Sequence, residues 1–256
     1  MKFSSRLTRK GALIDETQIV FRRWDERRSI KANIRAALID NPIGAASQGW
    51  LSEVASTLSS RLSEMGDGEL AALASLAQSE ISSQVWRACF HWHCARTDFL
   101  YYHFATEWLF GEYRRGTHLI RSQDLVPFVK QQVVAAKGRG AKLSEYGVLR
   151  AARDLLRTAA HFGLLRGTVV KEFTSYHLPE ESFLYLLHAM AEREPNARRI
   201  VDSIDWHMFL MDSSDVEREV LRLHQFRKLH YEVAGSLAQL QLPHASPASY
   251  ARGLCA

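Results

Sequence analysis

Cysteine is scarce in this chain of 256 residues, and long apolar runs are lacking. Its three cysteines, Cys89, Cys94 and Cys255, are too few and too unevenly spaced for a disulfide framework, which favours a reducing, cytoplasmic setting. No stretch approaches the roughly 18 apolar residues of a membrane span. Residues 1–11 are basic but lack the apolar segment of a secretory signal. The sequence therefore predicts a cytoplasmic protein with no membrane partner.

The patterns of common catalytic and nucleotide-binding sites are lacking as well. The loop at 137–142 contains glycines, but it has neither the GxxxxGK[ST] pattern of a phosphate-binding loop nor a preceding strand. No GxSxG, HExxH or DFG element occurs. We therefore predict a protein that is not an enzyme and that has no cofactor and no small-molecule substrate.

One cluster of potential metal ligands occurs, at Cys89, His91, His93 and Cys94. On a helix only Cys89 and His93 share a face, so four ligands cannot converge on one ion without an unwound backbone. We interpret these side chains as buried packing residues and predict no metal. A metal or haem site is the alternative.

Positive charge is present mainly in two blocks, although the net charge is only +5. Residues 1–65 carry 11 basic and 7 acidic side chains, and residues 114–171 carry 12 and 3. The intervening residues 66–113 and the final residues 172–256 are each acidic by four charges. Such concentration of cations is what a polyanion-binding protein needs.

The first basic block has the pattern of three helices. Apolar spacing predicts one helix over about 13–28, Ser29 is a suitable N-cap for a second, and a third begins near Trp50 after a loop at 41–49. The third helix has an apolar stripe and an opposite face of small polar residues, which includes Ser56 and Ser60. We interpret this block as a helix-turn-helix; a plain three-helix bundle is the alternative.

The acidic stretch that follows has the pattern of a helical core and spacer. Helices are expected over about 69–78, 81–95 and 98–110, and their side chains are largely apolar.

The second basic block has the pattern of a recognition helix with a wing. A helix over about 123–136 leads into a basic loop at 137–142, and Ser144 can cap a long helix that reaches Phe162. Arg150, Arg153 and Arg157 project from one side of that helix. Residues 168–173 alternate as a short strand does. Arginines that are merely solvated are the alternative, but the flanking basic segments favour DNA contact.

The last third repeats the pattern of helices followed by a β-structure, but its charged residues are predominantly acidic. Helices are expected over about 179–194 and from a capping box of Ser214 and Glu217, followed by a β-hairpin over 229–242. The acidic helix face is a poor match for phosphate, so we expect a packing or partner role. We divide the chain into a helix-turn-helix-like domain, a helical spacer, a winged-helix-like domain and a mobile tail, at 1–66, 67–120, 121–242 and 243–256.

Several short motifs resemble those of the BrxA family, small accessory proteins of BREX bacteriophage-defence systems. The resemblance extends over about residues 2–178 and lies in the order and spacing of FSSRL at 3–7 with Gly11, Leu13 and Glu16, TDFL at 97–100 with Phe104 and Glu107, and FGLL at 162–165. It implies a helical protein with helix-turn-helix domains toward both ends, which binds double-stranded DNA within a multi-protein complex. It transfers no catalytic residues.

We therefore expect an all-α, mainly helical fold with short β-hairpin wings, and double-stranded DNA and other BREX-system proteins as partners. An interaction scaffold without DNA binding is the alternative. RNA is a weaker candidate because no aromatic stacking platform is evident. The expected DNA-binding residues are Arg6, Arg9, Lys10, Ser56, Ser60, Arg61, Lys137, Arg139, Lys142, Arg150, Arg153, Arg157, Arg166 and Lys171.

Overall fold

The N-terminal block forms the three expected helices in the computed structural model, which describes residues 10–136, 142–235 and 237–254. Ser29 caps the second helix by accepting from the backbone N–H of Ala32. The first helix ends six residues earlier than the apolar pattern predicts. The buried side chain of Asn33 holds the turn that follows it, since it accepts from Asp25 N at 2.8 Å and donates to Asp25 O at 2.9 Å. The helices are α1 (Ile14–Arg22), α2 (Ile30–Leu38) and α3 (Gln48–Leu62).

The middle of the chain is helical and buried. Asp98 caps one helix by accepting from Tyr101 N, and that helix continues into a π-helical segment, Phe104–Leu109. The π-helical hydrogen-bonding pattern accompanies a contact from a distant part of the chain, because Thr106 O accepts from Nδ1 of His207 at 2.8 Å. The regular helices here are α4 (Asp67–Gln78), α5 (Ser83–Ala95), α6 (Phe99–His103) and α7 (Phe110–Arg114).

Two helices and a small hairpin follow, and we call them the central hairpin unit (residues 120–173). Ile120 forms an antiparallel bridge with Lys171, directly before a short strand at 172–173 that pairs with the strand at 165–166. Ser144 caps the second helix as expected, by accepting from Gly147 N. The elements are α8 (Ser122–Ala135), α9 (Glu145–His161), β1 (Leu165–Arg166) and β2 (Glu172–Phe173).

The expected strand over 168–173 is wrong in its first half. Gly167 has φ +97°, and a Cβ at that position would lie 2.3 Å from the carbonyl oxygen of Val170. Only glycine fits such a turn, which places residues 168–170 at the tip of the hairpin. Val169 consequently points into solvent and is 83% exposed.

The last third repeats this order of elements, after a helix α10 (Glu180–Ala191) that is buried in the core. The hairpin expected over 229–242 is present, with His230 opposite Gln241 and Ala234 opposite Leu237. The helix before it is capped by Asp212 and Asp215 instead of the expected Ser214 and Glu217. The C-terminal hairpin unit (residues 197–241) comprises α11 (Ala197–Val201), a 3-10 segment (Ile204–Phe209), α12 (Ser213–Gln225), β3 (His230–Ala234) and β4 (Leu237–Gln241).

The chain then forms one more helix, α13 (Pro247–Gly253), so the prediction of a mobile tail is wrong for this segment. Ser246 caps α13 by accepting from Ser249 N, and Tyr250 and Ala251 are buried. The helix packs against α4, where Ser79 donates from its hydroxyl to Ala251 O at 2.7 Å.

A continuous hydrophobic core runs beneath all of these segments. Its largest fully buried side chains include Trp86, Trp92 and Trp206, which come from the middle and the last third of the chain. The expected mainly helical fold with short β-hairpins is confirmed. Within the described ranges, no helix has both the length and the apolar character needed to span a membrane.

Candidate nucleic-acid interface

Helix α9 carries three arginines on the face that points away from the core. Val148, Ala152 and Leu155 lie on its opposite face and are at most 4% exposed. This burial fixes the rotation of the helix, so that Arg150, Arg153 and Arg157 emerge together into solvent. Tyr146, one turn before the first arginine, is 70% exposed and extends the same face.

A single buried carboxylate, Asp154, contacts two of these arginines. Arg157 donates to Asp154 at 2.7 Å, and Nε of Arg150 lies 4.0 Å from the second carboxylate oxygen. Both guanidinium side chains nevertheless remain nearly half exposed, at 47% for Arg150 and 45% for Arg157. Arg153 forms no ion pair within the described part of the chain. The face, which we call the arginine face (Arg150, Arg153 and Arg157), therefore keeps a local excess of two positive charges over Asp154.

The hairpin beside α9 contributes one exposed cation and one buried one. Arg166 is 68% exposed, although it pairs with Glu172 across the strands at 2.7 Å. Lys171 is 9% exposed and donates from Nζ to Gly167 O, which braces the turn. Burial and the nearby Arg157 lower the pKa of Lys171. Lys171 therefore supports the hairpin, and Arg166 is the cation that the hairpin presents to solvent.

A cleft of about 400 Å³ separates the arginine face from the hairpin tip. Cationic, polar and apolar side chains line it at the start of α8, on α9 and on the hairpin, together with the carboxylate of Asp154. Its lining residues are Ser122, Gln123, Arg153, Asp154, Leu156, Arg157, Thr168, Val169 and Lys171.

The remaining candidates of the second basic block lie in the connection between α8 and α9. Lys142 is exposed just before the cap of α9. Lys137 and Arg139 lie outside the described residues, as do Arg6 and Arg9 at the N-terminus.

Those N-terminal candidates that the structure describes do not form one cationic surface. Lys10 pairs with Glu53 and lies over the ring of Trp50, with Nζ 5.8 Å from the ring centroid. Arg61 is 1% exposed, and its guanidinium donates to the carbonyl oxygens of Gly11 and Ala12. Since a side chain buried in this way cannot reach a phosphate, we remove Arg61 from the expected interface.

Ser56 and Ser60 line a groove between α2 and α3, together with two cations that the sequence analysis missed. These cations, Lys31 and Arg35, are exposed residues of α2. Their i, i+4 spacing was a signal that both share one helix face. The groove has a volume of about 890 Å³, and its floor is largely apolar.

The cations of the C-terminal hairpin unit are mostly engaged with carboxylates. Arg222 donates to Glu180 and Glu219 at 2.6 Å, and Lys228 pairs with Glu180 as well. On the outward side, Arg218 pairs with Asp215 at 2.8 Å. This unit therefore presents a more neutral surface than the arginine face.

The cysteine and histidine cluster of α5 is buried in the core. Nε2 of His91 lies 2.9 Å from the hydroxyl of Tyr101, and its ring stacks on Phe162 with centroids 4.2 Å apart. Burial lowers the pKa of His91 to about 3, because it penalises the charged form. His93 lies 2.9 Å from the hydroxyl of Tyr185 and 3.3 Å from Glu69. These contacts are the packing role that the sequence predicted for the two histidines.

The fold defines a mainly helical protein in which two helices and a hairpin occur twice, once with an exposed arginine face. The family model named BrxA matches residues 1–189, about three quarters of the chain, and the chain therefore belongs to the BrxA family. Membership associates it with BREX phage-defence systems. No curated protein and no solved structure matches the chain significantly.

Proposed function

We propose that this chain is a non-catalytic accessory protein of a BREX-type phage-defence complex and that it binds double-stranded DNA through the central hairpin unit. The observation that carries the proposal is the arginine face of α9, which stays exposed and in local excess over Asp154. An exposed helix of this kind fits the major groove of B-DNA, which is about 12 Å wide.

The order of elements supports the same proposal. A bridging residue, two helices and a hairpin follow one another: Lys171 bridges to Ile120, and β2 directly after it pairs with β1. This is the order of a winged helix, in which the second helix enters the groove. The hairpin would then place Arg166 and the exposed tip at Thr168 and Val169 beside the phosphate backbone, with Lys142 at the other end of α9.

Lys137, Arg139, Arg6 and Arg9 remain candidates from the sequence alone, and Lys10 is a weaker one because it already pairs with Glu53. Lys171 contributes indirectly by supporting the hairpin turn.

A substitution of Arg153 tests the proposal, because this arginine forms no ion pair within the described ranges whose loss would confuse the result. Arg153→Glu should weaken binding to several unrelated duplexes alike, by about tenfold, if it contacts the backbone. Fluorescence anisotropy at low salt measures the affinity. Arg218→Glu, on the outward side of α12, is the matched control and should leave the affinity within twofold. An unlabelled RNA duplex should compete poorly.

The second candidate function is an interaction scaffold without DNA binding. The ion-paired surface of the C-terminal hairpin unit favours a role of this kind for that part of the chain. Absence of wild-type binding to any duplex, together with stable co-purification with another BREX-system protein, would establish the scaffold and contradict the DNA proposal.

A further inference from the structure

The groove between α2 and α3 is a large concave surface to which DNA binding through the central hairpin unit assigns no role. Its volume is about 890 Å³, and Ile34, Leu38 and Leu51 form its floor. Ile39 stands at one edge and is 73% exposed, which is unusual for a large aliphatic side chain. The full lining is Lys31, Ile34, Arg35, Leu38, Ile39, Gln48, Leu51, Ser52, Ala55, Ser56, Ser59, Ser60 and Ser63.

The shape of this surface does not suit duplex DNA. A helix that recognises DNA protrudes and enters the major groove, whereas here the small polar residues of α3 lie in the wall of a concavity. An apolar floor also offers nothing to phosphate oxygens. Ser56 and Ser60, which the sequence suggested as DNA contacts, are therefore better placed to meet a protein.

The wall formed by α3 lets another helix approach closely. Ser52, Ala55, Ser56, Ser59 and Ser63 follow one another at helical spacing, and none has a side chain longer than a hydroxymethyl group. Small side chains permit close approach of two helix backbones. The lining of α3 runs from Gln48 to Ser63, which corresponds to about 22 Å of helix, or roughly four turns.

The positive charge of the groove's rim indicates that the bound segment is negatively charged. Lys31 and Arg35 line the groove, neither pairs with a carboxylate in the described ranges, and no aspartate or glutamate belongs to the lining. Residues 1–9 of the same chain carry Lys2, Arg6 and Arg9, whose positive charge has the wrong sign to complement this rim. The occupant should therefore be another protein with acidic residues beside its apolar face.

We propose that this groove binds an amphipathic helix of about four turns from a partner protein, with its apolar face on Ile34, Leu38 and Leu51 and its acidic flank against Lys31 and Arg35. The mode is that of a helix in a hydrophobic groove, with anchors at i, i+3, i+4 and i+7. The site is separate from the arginine face and does not depend on DNA binding.

Selection from a display library tests the proposal without a known partner. The probe is a library of 18-residue helices with fixed leucines at i, i+3, i+4 and i+7 and random flanking positions, selected on the full-length protein. We expect the selected helices to be enriched in Asp and Glu at the flanks. A synthetic copy of one selected helix with lysine at the acidic positions should bind at least about tenfold more weakly. Neutral or basic selected helices, or no selected helices, would overturn the proposal.

Two variants locate the site. Ser56→Trp fills the groove and should abolish binding of the selected helix, while Lys31→Glu with Arg35→Glu should shift the preference to the lysine-substituted copy. Arg27→Glu with Arg28→Glu, two exposed cations outside the lining, is the matched control and should change nothing. Circular dichroism verifies the fold of each variant. If Ser56→Trp does not fold, Lys31→Glu with Arg35→Glu, which leaves the apolar floor of the groove intact, decides the question. Retained binding in both groove variants would contradict the assignment. The assignment would also be contradicted if a second copy of the chain occupies the groove. In that case light scattering would detect a dimer of the wild type and a monomer of Ser56→Trp.

Discussion

The central and C-terminal hairpin units share an order of elements and differ in what they do with their cations. Each consists of two helices followed by an antiparallel hairpin, and the second helix of each, α9 or α12, turns one polar face outward. On α9 two of the three arginines share the single carboxylate of Asp154, and Arg153 forms no ion pair in the described ranges. On α12 both arginines, Arg218 and Arg222, have acidic partners of their own.

The comparison teaches that the arrangement of helices and hairpin does not by itself decide the partner. A cation that already donates to a carboxylate must give up that contact before it can bind a phosphate, whereas an exposed cation in local excess has less to give up. We therefore propose DNA as the partner of the central unit and a protein or packing role for the C-terminal unit. The following predictions are ordered from the largest expected effect to the smallest.

Asp205 anchors the C-terminal unit on the rest of the protein, and its substitution should lower the stability of the protein without lowering its DNA affinity. The buried carboxylate accepts from Nε1 of Trp92 at 2.8 Å, from Arg96 at 2.6 Å and from the hydroxyl of Tyr102. Asp205→Ala leaves these donors without their acceptor, so the free energy of unfolding should fall by about 3–5 kcal/mol in urea denaturation. DNA affinity measured on the folded fraction should not change. A clear loss of DNA affinity in the folded fraction of Asp205→Ala would show that the two units are not independent in function.

Charge reversal should affect DNA binding only in the central unit. Arg150→Glu with Arg153→Glu should weaken binding by about a hundredfold, because two attractive contacts become repulsive. Arg218→Glu with Arg227→Glu reverses the same number of exposed cations in the C-terminal unit and should leave the affinity within about twofold. Anisotropy with one duplex under identical salt measures both. Equal losses would contradict the distinction between the units.

Acid should loosen both units together, because His91 lies between them. Its ring stacks on Phe162 at the end of α9 and lies edge-on to Phe209 before α12, with centroids 4.2 and 5.5 Å apart. The pKa of His91 is about 3 in the folded protein and has an ordinary value of 6.5 in the unfolded chain. The stability that the neutral ring contributes is therefore present above pH 6.5 and is lost as the pH falls toward 3.

At pH 5 the contribution of His91 to this loss should be about 2 kcal/mol. His91→Gln cannot titrate, so urea denaturation at pH 7.5 and pH 5 should show a pH effect smaller by about that amount than in the wild type. His103→Gln, a substitution at a more exposed histidine that pairs with Glu107, is the control and should retain the wild-type difference. An unchanged pH effect in His91→Gln would refute the assignment.

Removing carboxylates from the C-terminal unit should make its affinity for DNA more like that of the central unit. Glu217→Gln with Glu219→Gln removes one of the two acidic partners of Arg198 and of Arg222 without changing the size of the side chains, while Asp202 and Glu180 remain. DNA affinity at low salt should rise by about three- to tenfold, since the unit loses two negative charges that repel the phosphates. Ser213→Ala with Ser214→Ala, at the start of the same helix, controls for general effects of substitution. No gain in affinity would mean that more than charge separates the two units.

Much of the local structure follows from the sequence, because its signals act over a few residues. Ser29 and Ser144 cap helices as expected, and the apolar spacing of α9 correctly places its arginines outside. The helix at the C-terminus carried comparable signals, Ser246 as a cap and Pro247 in its first turn, which the sequence analysis did not use.

Features that depend on distant contacts did not follow from the sequence. Arg61 belongs to a helix with a small polar face, yet it turns inward because the carbonyl oxygens of Gly11 and Ala12 accept from it some 50 residues away. The valines before Lys171 have high strand propensity, but the left-handed backbone at Gly167 makes them a turn. The groove between α2 and α3 likewise exists only once both helices are packed.

The salt dependence of DNA binding tests the central claim most directly. If about six cations of the central unit and its flanking segments neutralise phosphates, a plot of log affinity against log salt concentration should have a slope near −5 between 50 and 200 mM. Arg150→Gln with Arg153→Gln should reduce that slope by about two. A flat response of the wild type, or a slope that these two substitutions leave unchanged, would contradict the assignment of the arginine face to DNA.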